Sequence, residues 1–270
     1  MIPVGFDYVR PESVDAAVAL LARRGEEATV LAGGHSLLPL MKLRFAAPEL
    51  LVDIGRLGEL QYVRLDGDEI AIGAGTRHTT VEGSELLAAE CPLLPAVART
   101  VGDPQVRHRG TIGGALAHAD PASDLPAAVL ALGGTVVLRG PRGERRVPST
   151  GFHTGVFSSV KEPDELLVEV RVPRTGAAGW AYEKFTRRAN DWAIVGVAVV
   201  DGRVGLVNMG PTPLRASATE AALAGGASVE EAAALADRGT DPPAGLAGTK
   251  EYRRHLARAL TRRALTTASR

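Results

Sequence analysis

Two segments with paired glycines constrain this chain more than any other feature of its sequence. The first pair, Gly33 and Gly34, follows the apolar run Ala28–Leu31, which predicts a strand, and precedes a second apolar run, Leu37–Met41. Glycines at such a position let the backbone turn tightly and expose its amide groups to an anion, and the hydroxyl of Ser36 adds a donor. The segment therefore predicts either a phosphate-binding turn or an ordinary turn between two elements.

The second glycine-rich segment covers Gly110–Gly114, and we predict it to be a loop. Two amide-rich loops from separate parts of the chain could hold one doubly phosphorylated ligand from both sides. Asp124 lies at the start of a further predicted helix, Leu125–Leu132. Its carboxylate is expected either to cap that helix or to accept hydrogen bonds from ribose-type hydroxyl groups of the same ligand.

The order of the predicted elements indicates an α+β protein with three parts. The first part is predicted to contain a strand, a helix and two further strands. Its helix, Val14–Arg24, is predicted to be capped by Ser13. A hairpin signature with an Asp-Gly turn, Tyr62–Ile72, opens the second part. Thr175–Gly179 has the composition of a linker, and strands followed by helices come after it. The predicted parts are residues 1–57, 58–174 and 178–270.

Composition and charge exclude several classes of protein. The 31 basic and 31 acidic residues cancel, so no overall charge draws the chain to nucleic acid or to an anionic membrane. The single cysteine, Cys91, excludes an internal disulfide and a thiolate-bound iron–sulfur or zinc site, and we expect it in the core. Without a run of about 18 apolar residues or a signal-peptide layout, a cytoplasmic protein with no integral membrane segment is expected.

Three residues near the glycine segments invite a metal-site interpretation, which their spacing does not support. His35, His118 and Asp120 are not arranged like a known ligand set, and no cysteine assists them. We therefore expect no metal on this chain.

The glycine segments and several later stretches together resemble a known family. The matching stretches are Ala32–Leu37, Thr111–Gly114, Ala117–Asp124, Tyr182–Val195 and Glu251–Leu256. They resemble the FAD-binding medium subunits of molybdenum hydroxylases, a family that includes the medium chain of aerobic carbon monoxide dehydrogenase and the FAD-binding part of xanthine dehydrogenase. The resemblance covers essentially the whole chain, and several ordered motifs are more specific than either glycine segment alone.

The resemblance implies a two-lobed FAD-binding domain of the vanillyl-alcohol-oxidase (PCMH) type, followed by a small C-terminal α+β domain. In such a fold the glycine segments hold the FAD diphosphate, Asp124 and the backbone near Leu167 contact the cofactor further along, and Lys184 and Trp192 lie beside the flavin. No catalytic residue beyond the flavin is implied. The residues assigned in this way to cofactor binding are Ala32, Gly33, Gly34, His35, Ser36, Leu37, Val101, Thr111, Gly113, Gly114, Ala115, Asp124, Leu167, Lys184 and Trp192.

Two of these assignments have structural alternatives, and one position departs from the family pattern. On the sequence alone, Lys184 could be a solvated strand lysine and Trp192 a packed core residue. Relatives usually carry asparagine where this chain has Ala115, so one amide side chain next to the diphosphate is lost. Because backbone contacts can persist there, we expect weaker FAD binding rather than none.

The function implied by the resemblance is electron transfer. The chain would take electrons from the [2Fe-2S] clusters of a small partner subunit and pass them to an external acceptor. A large molybdopterin subunit would oxidise the substrate, and the complex would be a dimer of heterotrimers. The cysteine count agrees, because the cluster ligands must lie on another chain. Two alternatives stay open: a free-standing FAD-dependent oxidoreductase of the same fold, and a non-catalytic binding module.

Overall fold

The structure, a computed structural model that describes residues 2–270, is organised by three main sheets. The elements of the first unit, here termed the parallel-sheet unit, are β1 (Asp7–Val9), α1 (Val14–Arg24), β2 (Ala28–Leu31), α2 (Leu37–Leu43) and β3 (Leu50–Asp53). Its strands are parallel, in the order β1-β3-β2. Ser13 caps α1 as predicted, accepting a hydrogen bond from the amide of Ala16 at 3.1 Å. The first glycine pair follows the carboxyl end of β2, where ligands bind in open parallel sheets.

An antiparallel sheet and a group of short helices form the next unit, termed the central unit. Its strands are β4 (Val63–Asp66), β5 (Glu69–Gly73), β6 (Thr135–Gly140), β7 (Gly143–Pro148), β8 (His153–Gly155), β9 (Ser158–Ser159) and β10 (Leu166–Pro173). Its helices are α3 (His78–Glu82), α4 (Glu85–Glu90), α5 (Leu93–Arg99), α6 (Pro104–Arg109), α7 (Ile112–His118) and α8 (Asp124–Leu132). The sheet order is β4-β5-β10-β6-β7, while β8 and β9 form a separate hairpin. The predicted Asp-Gly hairpin is confirmed as β4 and β5.

The second glycine segment is a loop only at Gly110 and Thr111, so the predicted loop is wrong for its last three residues. Gly113 and Gly114 lie in the first turn of α7, and Thr111 caps the helix by accepting the Gly114 amide at 3.0 Å. Two glycines oppose a helix by about 1 kcal/mol each. The threonine cap and the burial of Ile112 and Leu116 outweigh that cost.

The last unit, termed the C-terminal unit, pairs an antiparallel sheet with a long helix. Its elements are β11 (Trp180–Phe185), β12 (Val195–Val200), β13 (Arg203–Val207), β14 (Leu214–Arg215), α9 (Ser217–Ala224), α10 (Val229–Ala233) and α11 (Lys250–Ala268). Alternate residues of β12 face opposite sides, as the pleat of a strand requires. Val197 and Val199 share a core with α11, whereas Ala198 and Val200 belong to the core of the central unit. Within residues 2–270, no helix is long and apolar enough to cross a membrane.

The three units pack directly on one another. Helix α1 shares its core with the central sheet, because Val14 and Leu21 cluster with Val137 and Leu166. Helix α8 packs against β12 and β13 of the C-terminal unit. This contact is close, since a Cβ added to Gly205 would lie 2.3 Å from the carbonyl oxygen of Ala127. The relative position of the units is therefore determined by packing.

Candidate functional site

A cleft of about 600 Å³ is lined by residues from all three units, and we term it the central cleft. Its volume is in the range typical of small-molecule sites, about 300–1,000 Å³. The structure brings every residue that the resemblance assigned to cofactor binding into its lining, including those far apart in sequence: Ala32, Gly33, Gly34, His35, Ser36, Leu37, Val101, Thr111, Gly113, Gly114, Ala115, Asp124, Leu167, Lys184 and Trp192.

The first glycine segment contributes free backbone donors to the cleft. Among the described residues, no acceptor is bound by the amides of Gly33, Gly34, His35 and Ser36. Gly34 has a φ of 79°, a left-handed conformation that glycine adopts at little cost. Four consecutive unsatisfied amides at the lining of a cleft form a group of donors suited to an anionic oxygen ligand.

The backbone amides of the glycines in the second segment, unlike those in the first, are bound to acceptors within the protein. The amide of Gly113 donates to the Ala74 carbonyl at 2.9 Å, and the amide of Ala115 donates to the Thr111 carbonyl at 3.0 Å. A Cβ on Gly113 would lie 2.5 Å from that of Ala74, so this glycine serves packing. The expectation of two amide-rich loops is therefore wrong for the second segment, because contacts with Ala74 and Thr111 occupy its Gly113 and Gly114 amides.

The two glycine segments touch each other. A Cβ added to Gly33 would lie 2.3 Å from the carbonyl oxygen of Arg109. Arg77 binds the same carbonyl through one guanidinium nitrogen and donates from another to the Gly55 carbonyl at 3.0 Å. No motif in the sequence marks Arg77, because its partners are backbone atoms that only the fold brings together.

Asp124 forms a buried ion pair at the wall of the cleft. Lys184 Nζ lies 2.7 Å from Asp124 Oδ2 and 3.0 Å from the Thr100 carbonyl oxygen, and the Tyr182 hydroxyl donates to Asp124 Oδ1. Burial raises the pKa of Asp124, which the Lys184 ammonium opposes, while burial and Asp124 raise the pKa of Tyr182 well above its usual value. The carboxylate does not cap α8, so that alternative is wrong.

Lys184 is not a solvated strand lysine and Trp192 is not a packed core residue, so both structural alternatives are wrong. The Lys184 side chain is only 8 % exposed, because it reaches from β11 into the Asp124 pair instead of into solvent. Trp192 is 58 % exposed and lies in the connection between β11 and β12, not in the core. An exposed indole at the lining of a cleft offers a flat surface on which another ring can stack.

His78 is a lining residue that the sequence did not single out. It begins α3, its amide donates to the Gly110 carbonyl at 3.0 Å, and its Nδ1 has no partner among the described residues. Burial lowers the pKa of its imidazole to about 4, with smaller contributions from nearby His35 and Arg107. His78 is therefore neutral at physiological pH.

Cys91 lies away from the cleft lining, in the core of the central unit. Burial raises the pKa of its thiol to about 12, so the group is protonated and unreactive in the folded chain. This confirms its prediction as a core residue. In the part of the chain that the structure describes, no group of histidine, cysteine, aspartate and glutamate side chains could hold a metal ion.

Two protein families match consecutive parts of the chain. Residues 4–175 match the FAD-binding domain in molybdopterin dehydrogenase, and residues 180–268 match the C-terminal domain of the CO dehydrogenase flavoprotein. The medium chain of carbon monoxide dehydrogenase from Hydrogenophaga pseudoflava is 44 % identical over 282 residues, covering 99 % of this chain and 98 % of the relative. Subunit alpha of the 6-hydroxypseudooxynicotine dehydrogenase complex from Paenarthrobacter nicotinovorans is 38 % identical over 283 residues, covering 99 % and 96 %.

A solved structure agrees over the whole length. Carbon monoxide dehydrogenase from Hydrogenophaga pseudoflava, in a form lacking the Mo-pyranopterin moiety of its molybdenum cofactor, matches with a TM-score of 0.96 at 46 % identity. The match covers 100 % of this chain and 99 % of that chain, and it confirms the expected fold class. The chain therefore belongs to the FAD-binding medium subunits of molybdenum hydroxylases, the oxidoreductase family that its glycine segments and later motifs resemble.

Proposed function

We propose that this chain holds FAD in the central cleft and transfers electrons from an iron–sulfur partner subunit to an external acceptor. One observation carries the proposal. Residues 33–36, whose amides have no protein acceptor among the described residues, line a cleft that also contains every other residue assigned to the cofactor. When bound, FAD supplies the electron-carrying chemistry that protein side chains lack.

The residues of the cleft fit a dinucleotide. Each amide hydrogen bond to a charged oxygen contributes about 1.5 to 3 kcal/mol, so the amides of residues 33–36 together can anchor a diphosphate. A Cβ added to Gly114 would meet only the Thr111 hydroxyl, at 2.7 Å, so a ligand can approach the α7 backbone closely. The half-buried apolar side chain of Val101 offers contact surface for a ring, while Leu167, which is only 4 % exposed, would contact the cofactor through the backbone near it.

The remaining lining residues have distinct roles in the proposal. Lys184 donates two of its three ammonium hydrogens to Asp124 and Thr100, so the third can be donated to the cofactor. Trp192 covers a flat ring and excludes water from it. Ala115 offers no polar side chain, so we propose that FAD is held less firmly than it would be with asparagine there.

We propose that the chain works in a complex with a [2Fe-2S] small subunit and a molybdopterin-binding large subunit, assembled as a dimer of heterotrimers. The single cysteine supports this division, since four-thiolate clusters cannot form on the chain. The substrate would be oxidised on the large subunit. We also propose domain boundaries at residues 1–57, 58–174 and 178–270.

Two experiments test the proposal. The purified full chain should acquire a flavin absorption spectrum at one FAD per chain, and a chain that stays colourless with added FAD would contradict the proposal. In the assembled complex, substrate should bleach the flavin absorption, and removal of FAD should abolish transfer to acceptors while the clusters still become reduced. Bleaching of the isolated chain by NAD(P)H alone would instead support a free-standing oxidoreductase.

A further inference from the structure

Arg77 lies behind the two glycine segments and joins them. Its guanidinium donates to the carbonyl of Arg109, the residue before the second segment, and to the carbonyl of Gly55, in the parallel-sheet unit, at 3.0 Å. Both residues adjoin the first segment, because a Cβ added to Gly33 would lie 2.3 Å from the Arg109 oxygen and a Cβ added to Gly55 would lie 3.1 Å from the Ala32 oxygen. One side chain thus bridges two backbone carbonyls that belong to residues beside the two segments.

The positive charge of Arg77 is not matched by a carboxylate. Among residues 2–270, no aspartate or glutamate lies within salt-bridge distance of its guanidinium, and its hydrogen-bond acceptors are neutral carbonyls. Burial lowers the pKa of Arg77, and Arg109 adds to this effect while Asp53 opposes it. A half-buried cation of this kind is stabilised by any anion that binds nearby.

The cations that line the cleft are already engaged. Lys184 pairs with Asp124 at 2.7 Å. Lys161 Nζ donates to the carbonyls of Glu162 and Glu165 at 2.9 and 3.3 Å, and the acidic side chains of that segment surround it. His78 is neutral. The two negative charges of a diphosphate at residues 33–36 therefore have no free counter-ion in the lining itself.

We propose that Arg77 is a positioning residue for the diphosphate of the cofactor. It holds the glycine segments at the spacing that leaves the amides of residues 33–36 free, and its charge balances the phosphates from behind the backbone. This inference rests on the proposed function, because it assumes that the bound ligand is FAD.

The test compares FAD with riboflavin, which has the same ring and ribityl chain but lacks the diphosphate and the adenosine attached to it. The full-length variants are Arg77→Met, Arg77→Lys and, as a matched control, Arg109→Met, which removes an exposed neighbouring charge and leaves the backbone unchanged. We expect Arg77→Met to raise the Kd of FAD at least about tenfold, which corresponds to about 1.4 kcal/mol. Riboflavin binding should change less than about twofold, and Arg109→Met should affect neither ligand by more than that.

Arg77→Lys keeps the charge but loses the two-point contact, so it should weaken FAD binding less than Arg77→Met does. The Kd of FAD should also depend less on salt concentration in Arg77→Met than in the natural chain, since one favourable charge is gone. If riboflavin binds too weakly to titrate, the salt dependence of the Kd of FAD tests the role of Arg77 instead.

Three outcomes would overturn the inference: an unchanged Kd of FAD in Arg77→Met, an equal loss of FAD and riboflavin binding, or an unchanged salt dependence. If Arg77→Met does not fold, Arg77→Lys carries the comparison of FAD with riboflavin, with a smaller expected loss of FAD binding. Failure of the natural chain to bind FAD would contradict the proposed function instead, and the two failures are thereby distinguished.

Discussion

Asp124 and Lys184 form a buried ion pair at the cleft. Their side chains are 5 % and 8 % exposed, so both charges have lost most of their water. Such a pair is tolerated only when additional hydrogen bonds satisfy the remaining donors and acceptors, and Tyr182 and Thr100 provide them here. The cost of removing one partner should therefore exceed that of removing both.

Lys184→Met should lower the free energy of unfolding by about 3–5 kcal/mol, because Asp124 is left buried without its cation. The double variant Lys184→Met with Asp124→Asn should recover part of that loss. Urea denaturation of the single and double variants measures both effects. Lys250→Met, at an exposed pair, is the control and should leave the denaturation midpoint unchanged. Additive losses in the double variant would show that the pair is not coupled.

His78 predicts a specific pH dependence of stability. Burial lowers its pKa in the folded chain to about 4 from 6.5, so its contribution is complete above pH 6.5. As the pH falls from 6.5 to about 4, the unfolded chain binds a proton that the folded chain does not, and stability is lost. The loss should amount to about 3 kcal/mol, at 1.36 kcal/mol per pKa unit.

His78→Leu should remove that contribution. The free energy of unfolding of the variant, measured by denaturant titration between pH 4 and 8, should fall less steeply on acidification than that of the natural chain. His118 and His153, whose pKa values burial also lowers, are present in both proteins and cancel in the comparison. If the free energy of unfolding changed with pH equally in the two proteins, His78 would not be the source of the pH dependence.

At the scale of elements, the sequence predicted the regular pieces well and the glycine segments only in part. The bounds of α1 and β2 agree with prediction, because apolar periodicity, the Ser13 cap and strand composition all indicated the same limits. Strand β7 was not predicted, since half of its residues are charged and most are exposed at a sheet edge. The helical state of Gly113 and Gly114 was missed because burial of α7 decides it, and burial is not visible locally.

Gly33→Ala tests the contact between the glycine segments. The new Cβ would overlap the Arg109 carbonyl, so the segments must separate, and we expect a loss of about 1–3 kcal/mol in the free energy of unfolding. The Kd of FAD should rise at least about tenfold, because the amides of residues 33–36 move. Gly151→Ala, where an added Cβ meets no atom within 4 Å, is the control for both measurements. Equal FAD affinity in the two variants would contradict this role of Gly33.

At the scale of the whole molecule, the cleft depends on how the units pack. Lys184 and Trp192 belong to the C-terminal unit, yet they line a cleft whose glycine segments lie in the other two units. The contact that places them is the packing of α8 on β12 and β13. A change at this contact should therefore affect the cofactor site without altering any lining residue.

Gly205→Ala tests the contact between α8 and β13. An added Cβ would lie 2.3 Å from the Ala127 carbonyl oxygen, so β13 and α8 must move apart at a cost of about 1–3 kcal/mol. We expect a lower melting temperature, faster proteolysis in the Thr175–Gly179 connection and weaker FAD binding. Gly58→Ala, where the added Cβ meets nothing within 4 Å, should change none of the three. Unchanged proteolysis and binding in Gly205→Ala would show that the units are held together elsewhere.

The amino-acid sequence alone was enough to identify the family, the fold class and the residues assigned to the cofactor, which are part of the cleft lining. It could do so because local composition and ordered motifs carry that information along the chain. The folded structure was needed to show which backbone amides are free, that Asp124 pairs with Lys184, and that Arg77 bridges Arg109 and Gly55. Hydrogen-bond partners, burial and unmatched charge depend on residues distant in sequence, such as Arg109 beside Gly33, and no local pattern encodes them.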